Sequence, residues 1–134
     1  MQIQLLRADS ASLKVDALVY PAESNSGDAT VSSSGNFLCR FVIHVPVPRP
    51  GEGDEDEKLR EATTAALERA EELAIASVGL PPLGSGNVDR IARVMIGAAL
   101  DFRTRARSLQ RAVFCLFGKP EFDAFDRALK ELGG

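Results

Sequence analysis

The chain has 134 residues, 45% hydrophobic and 26% charged, with a net charge of −3, which fits one domain over residues 1–134 that buries its own core. That acidic balance excludes a general nucleic-acid binder or membrane-surface binder, because both need a basic surface field. Any anion binding has to be local. The start of the chain has no signal-peptide pattern, and no apolar run approaches about 18 residues. Cys39 and Cys115 sit in apolar runs, as buried free thiols do. A cytoplasmic protein without membrane contact is expected.

In chain order, Ile3 and Leu5 alternate with Gln2 and Gln4, the pattern of a strand with one buried face. Residues 15–20 predict a second short strand, bounded by Lys14 and Pro21. Residues 30–33 and 40–45 predict a strand pair joined through Ser34, Gly35 and Asn36, and Pro46, Pro48 and Pro50 end the pairing. Glycine and acid over residues 51–56 lead into a helix over about 57–73, where Leu59, Ala62, Thr63, Ala66, Ala70 and Leu73 recur at helical spacing. That acidic run suits a solvated helix N-terminus, where carboxylates complement the macrodipole. Residues 75–80 predict a buried strand. Ile91, Val94, Met95, Ala98, Ala99 and Phe102 form the stripe of a second helix, residues 111–117 return as a strand, and Pro120 opens a last helix. Strands separated by helical crossovers predict a twisted, mostly parallel sheet with helices on its faces, and ligands in such sheets sit at the carboxyl ends of the strands.

Residues 77–89, S-V-G-L-P-P-L-G-S-G-N-V-D, run from strand through a glycine turn into a helix. Gly84, Ser85 and Gly86 let main-chain N–H groups approach an anion, and the helix start adds unpaired donors and partial positive charge. A lone Gly-x-Gly is also ordinary turn punctuation.

Several segments in order resemble the macro domain, the family of ADP-ribose-binding modules. They are Ala8-Asp9-Ser10 with Val15-Asp16-Ala17-Leu18-Val19; Gly27-Asp28-Ala29-Thr30-Val31 with Gly35-Asn36; Phe41-Val42-Ile43-His44-Val45; the helix over about 57–73; Leu80-Pro81-Pro82-Leu83-Gly84-Ser85-Gly86; and Val113-Phe114-Cys115-Leu116-Phe117. The resemblance implies a three-layer α/β/α fold with a mixed, mostly parallel sheet of about six strands and three main helices. It also implies an adenine contact at Asp9 with Ser10, a diphosphate cradle at Gly84, Ser85, Gly86 and Asn87, and an aromatic neighbour of adenine at Phe117. Read from residues alone, Asp9 equally caps a short helical turn, and a Phe closing a strand equally belongs to the core.

The chain departs from the family after its second strand. The family's Asn-rich segment, glycine run and following helix are replaced by Tyr20-Pro21-Ala22-Glu23-Ser24-Asn25-Ser26, which leads straight into Gly27-Asp28. Glu23 stands where the family has the Asn that binds the distal ribose and serves hydrolysis, and a carboxylate there repels a diphosphate. The expectation is weak binding of an ADP-ribose-like nucleotide without efficient hydrolysis, and no cofactor or metal. One alternative is a de-ADP-ribosylating hydrolase with Glu23 as base; another is an interaction module with no ligand. Loss of the covering helix also puts apolar residues 15–19 and Val31 at risk of exposure, and a homodimer is the expected remedy. His44 inside its strand is expected to be structural. Arg90, Arg93, Arg103, Arg105, Arg107 and Arg111 are expected to form a solvated, ion-paired surface, since no aromatic residue is interleaved to stack bases.

Overall fold

A computed structural model of the chain describes residues 1–7, 13–22, 30–33, 39–47, 53–84 and 86–133. Its elements are β1 (Gln2–Leu6), β2 (Ala17–Ala22), β3 (Thr30–Ser33), β4 (Phe41–Pro46), α1 (Glu55–Glu72), β5 (Ser77–Leu80), α2 (Val88–Phe102), β6 (Arg111–Cys115) and α3 (Lys119–Gly133). The strands form one six-stranded sheet in the order β1-β6-β5-β2-β4-β3. All neighbours pair parallel except β3, which runs antiparallel to β4. The mixed, mostly parallel sheet and the three helices match the sequence reading.

Side-chain alternation explains why the central strands read as unbroken apolar runs: both of their faces are covered. Ala17, Val19, Ile43, Val45, Val78, Ala112 and Phe114 point to the larger core, which also holds the buried residues of α1, α2 and α3. All three described helices therefore lie on one face. Leu18, Val42, Val113 and Cys115 point the other way and pack with Leu13, Val15 and Cys39. Chain direction explains this split. From β4 through β5 to β6 the chain steps toward one edge of the sheet, whereas from β1 to β2 it steps back. Right-handed crossovers then place the two kinds of connection on opposite faces. Leu13 and Val15, from the β1–β2 connection, belong to the smaller core.

This smaller core overturns one expectation. Val15, Ala17, Leu18 and Val19 are all buried within a single chain, so the face is closed without a partner at these residues. Gly79 makes the closure fit: a Cβ built on it would lie 2.7 Å from Leu13 Cδ2 and 2.9 Å from Leu18 Cδ2. Both cysteines are buried and free, and burial pushes the Cys39 thiol up from its ordinary pKa.

Boundaries differ in detail. β2 runs on through Pro21 to Ala22 rather than stopping there, because β5 pairs with it only as far as Leu18 and Pro21 lies where one side of the strand is free of that neighbour. At the opposite end of the sheet Asp16 ties three strands together. Its Oδ2 accepts from the Ala76 and Ser77 N–H groups at 3.0 and 3.2 Å, and its carbonyl accepts from Arg40 and Phe41 at 2.8 and 3.1 Å. Among the described residues no helix is long and apolar enough to cross a membrane.

Candidate nucleotide site

Each helix runs back against its strand, so the N-termini of α1, α2 and α3 gather at the carboxyl edge of the sheet. The strands whose downstream segments carry the candidate residues are β1, β6, β5 and β2, and these four are consecutive neighbours. Their ends are spaced about 4.8 Å apart. Topology thus aligns segments that are far apart in sequence. Asp9, Ser10, Ser85 and Glu23 lie outside the described residues; Gly84, Gly86, Asn87 and Phe117 lie within them.

The turn after β5 is held from below. The Leu83 N–H donates to Met95 Sδ at 3.3 Å in a buried position. A Cβ on Gly84 would sit 3.1 Å from Ile91 Cγ1 and 3.4 Å from Leu59 Cδ2, so the turn rests on the N-terminal ends of α2 and α1. Gly86 has φ 102, a left-handed conformation that favours glycine, and no atom lies within 4 Å of where its Cβ would be. Its outer side is open to an approaching group. Asn87 is the N-cap of α2, its Oδ1 accepting from the Arg90 N–H at 3.1 Å. That oxygen is committed to the helix, which leaves the amide NH2 of Asn87 as the part of the side chain able to donate to an anion.

Phe117 does not join the core. β6 ends at Cys115, Leu116 is the last inward residue, and Phe117 projects past the sheet edge with 81% of its surface exposed. The Leu116 N–H donates to the Leu6 carbonyl at 2.8 Å, which holds this segment beside the end of β1, from which Asp9 follows in sequence.

The charges around this edge are mostly paired. Arg90 reaches the first turn of α1, with Nη2 at 3.0 Å from Glu55 Oε2 and Nε at 2.9 Å from Asp56 Oδ1. A cavity of about 630 Å³ is lined by Gly53, Asp54, Glu55, Asp56, Glu57 and Arg90. Lys119 donates to Asp123 at 2.9 Å, and this hydrogen bond, with the fields of Lys119, Arg127 and Arg7, holds the Asp123 carboxyl below its ordinary pKa. Of the arginine-rich quarter, Arg90 and Arg93 pair with carboxylates and Arg105 lies 3.7 Å from Glu68, whereas Arg111 donates to the neutral Gln4 amide at 3.3 Å. The ion-paired surface expected from the sequence is present at those three positions. His44 bonds Ser32 Oγ at 2.9 Å across the β3–β4 pair, a structural use. No group of metal-ligating side chains occurs among the described residues.

The family model of the macro domain matches residues 8–90, more than half of the chain. The chain belongs to the macro domain family. The matched stretch runs from the segment after β1 to the first turn of α2, and so includes the glycine turn. An uncharacterised protein of Pyrobaculum aerophilum is 34% identical over 109 residues, covering 78% of this chain and 59% of that protein. This macro domain therefore spans less than two thirds of that relative's length. Among solved structures, the Oceanobacillus iheyensis macrodomain with ADP superposes with a TM-score of 0.88 at 15% identity, covering 96% of this chain and 90% of that one. A variant of the same macrodomain with ADPR gives 0.88 at 15% identity, covering 96% and 91%. At that identity the likeness establishes the fold.

Arg90 is the site-edge residue whose role the sequence reading missed. It was legible only as one member of a basic strip, because its pairing with the start of α1 depends on which helices the fold brings together.

Proposed function

We propose that this macro domain binds an ADP-ribose-like nucleotide weakly at the carboxyl edge of its sheet and does not hydrolyse ADP-ribose conjugates efficiently. The observation that carries the reading is the turn at Gly84 and Gly86: it is anchored to α1 and α2, open on its outer side, and leads into the α2 N-terminus, where unpaired N–H groups favour an anion. Relatives of this fold have been solved with ADP and ADPR. Phe117, exposed just past the end of the adjacent strand β6, supplies a face for a base, and Asp9 and Ser10 follow β1 on its other side in the strand order. Weakness follows from the segment after β2, which has no glycine run and places Glu23 there. Each charge-assisted hydrogen bond missing from the diphosphate lowers affinity by about 1.5–3 kcal/mol.

Calorimetric titration with ADP-ribose tests this, with a dissociation constant in the high-micromolar range or weaker expected. Sub-micromolar binding would overturn it. Turnover of mono-ADP-ribosylated protein that vanishes in Glu23→Gln would establish the hydrolase reading instead, and no binding at millimolar nucleotide would leave an interaction module. Association into a homodimer is part of the proposal. Its support is β3, which forms an edge of the sheet, carries no charge over Thr30–Ser33, and exposes 38% of Val31.

A further inference from the structure

We infer that Arg90 is a positioning and charge-masking residue of this edge, offsetting part of the negative charge in the first turn of α1 so that the neighbouring glycine turn can accept a polyanion. The role rests on the nucleotide reading above. Glu55, Asp56 and Glu57 occupy the first turn of α1, whose N-cap Asp54 makes no side-chain cap bond, so these carboxylates serve the helix by complementing its dipole. The same three charges stand at the sheet edge that receives the ligand. Leu59, one turn further along α1, is the residue against which Gly84 packs, so the acidic turn and the glycine turn share a wall. Left uncompensated, the carboxylates would oppose a diphosphate there.

Arg90 is the residue that faces both. Its backbone N–H is held by Asn87 at 3.1 Å, which starts α2 immediately after the glycine turn. Its guanidinium takes one carboxylate through Nη2 and the next through Nε, a fork that lysine cannot reproduce. Ile91, the next residue, supplies the other contact to Gly84. One side chain therefore links the first turns of α1 and α2 and, shared between two carboxylates, offsets one negative charge beside the site. The pairs are partly solvent-exposed, with side-chain exposures of 44% for Arg90, 28% for Glu55 and 58% for Asp56. Pairs of that kind add little to folding stability, so removing the arginine leaves a folded chain.

Amide resonances of Gly84 and Gly86 followed during ADP-ribose titration provide the test, run on wild type, Arg90→Ala and the triple variant Arg90→Ala/Glu55→Gln/Asp56→Asn. For the loss of one positive charge about 10 Å from a dianion, Arg90→Ala should weaken binding about threefold at 10 mM salt and about 1.5-fold at 150 mM. The triple variant, one negative charge fewer than wild type at this turn, should bind at least as tightly as wild type at both salts. Equal affinity for wild type and Arg90→Ala at 10 mM salt would overturn the role. A loss in Arg90→Ala that the triple variant does not recover would overturn charge masking and leave Arg90 as a mechanical tie between the helices. Wild type whose Gly84 and Gly86 resonances do not move with millimolar ADP-ribose would overturn the nucleotide reading itself, and this role with it.

Discussion

Glu71 occupies a position that helix electrostatics alone disfavours, the last turn of α1, where the macrodipole repels an anion. What compensates is a main-chain cradle from far along the sequence: the carboxylate accepts the N–H groups of Arg107, Ser108 and Leu109, the Ser108 contacts at 2.9 and 3.0 Å and the Leu109 contact at 3.3 Å. The Arg107 bond is the largest cause holding the Glu71 carboxyl below its ordinary value of 4.5. A folded pKa below the unfolded one means stability that is present above about pH 4.5 and lost as pH falls through the folded value. We expect Glu71→Ala to cost about 2 kcal/mol and Glu71→Gln about half of that, since the amide oxygen still accepts. Urea unfolding at pH 7 and pH 3 checks both parts: the wild type should lose its advantage over Glu71→Gln at the lower pH. At Gly86 the same scale of reasoning separates binding from folding. With φ 102 and no atom near the position of its Cβ, Gly86→Val meets strain rather than a clash. A cost of about 1–2 kcal/mol in stability is expected from the left-handed backbone, together with loss of the ADP-ribose heat in calorimetry, because the new side chain covers the open side of the turn.

At the scale of elements, β5 is the strand that the rest of the fold is built around. It has β6 on one side and β2 on the other, and all four of its residues are buried. Over its single glycine lies Leu13, from the end of the β1–β2 connection. Gly79→Ala brings a methyl group within 2.7 Å of Leu13 Cδ2 and 2.9 Å of the fully buried Leu18 Cδ2. The leucines have to shift in a packed core, and a loss of about 1–3 kcal/mol is expected. Leu13→Ala alone should also destabilise, by leaving a cavity. In the double variant the two effects should partly cancel, giving a coupling free energy of about 1 kcal/mol or more in a thermal-unfolding cycle. Strictly additive losses would mean that the crossover does not rest on Gly79. A side chain at position 84 would likewise press on Ile91 of α2 and Leu59 of α1.

The whole molecule has one feature that bears on assembly. Among the described residues the exposed large apolar side chains are Leu6, Val31, Phe117 and Leu132, none of them on the run 15–19 that loss of a covering helix put at risk. A bare sheet face is therefore no ground for a dimer at those residues; the edge position of β3 among the described strands is. Two copies pairing β3 to β3 antiparallel would continue the sheet through a twofold axis. Light scattering coupled to gel filtration at tens of micromolar should give twice the monomer mass of 14.4 kDa, and Val31→Lys should return it to one copy by placing like charges against each other. A wild-type monomer under those conditions removes the dimer from the proposal.

Much of this was legible without coordinates. Two-residue alternation in β1, the apolar stripes of α1 and α2, and Pro120 at the start of α3 are short-range signals, and periodicity encodes them within a few residues of the place they describe. The order of those signals also placed the glycine turn at the end of a strand and the start of a helix. What periodicity does not carry is which strand lies beside which. That depends on the handedness of the crossovers, and it was the resulting order β1-β6-β5-β2 that made neighbours of segments more than a hundred residues apart. The same long-range pairing decided that residues 15–19 are buried, that Phe117 projects past the sheet instead of closing the core, and that Arg90 meets Glu55 and Asp56 across two helices. Burial and ion pairing are properties of what arrives opposite a residue, and only the folded chain brings those partners together.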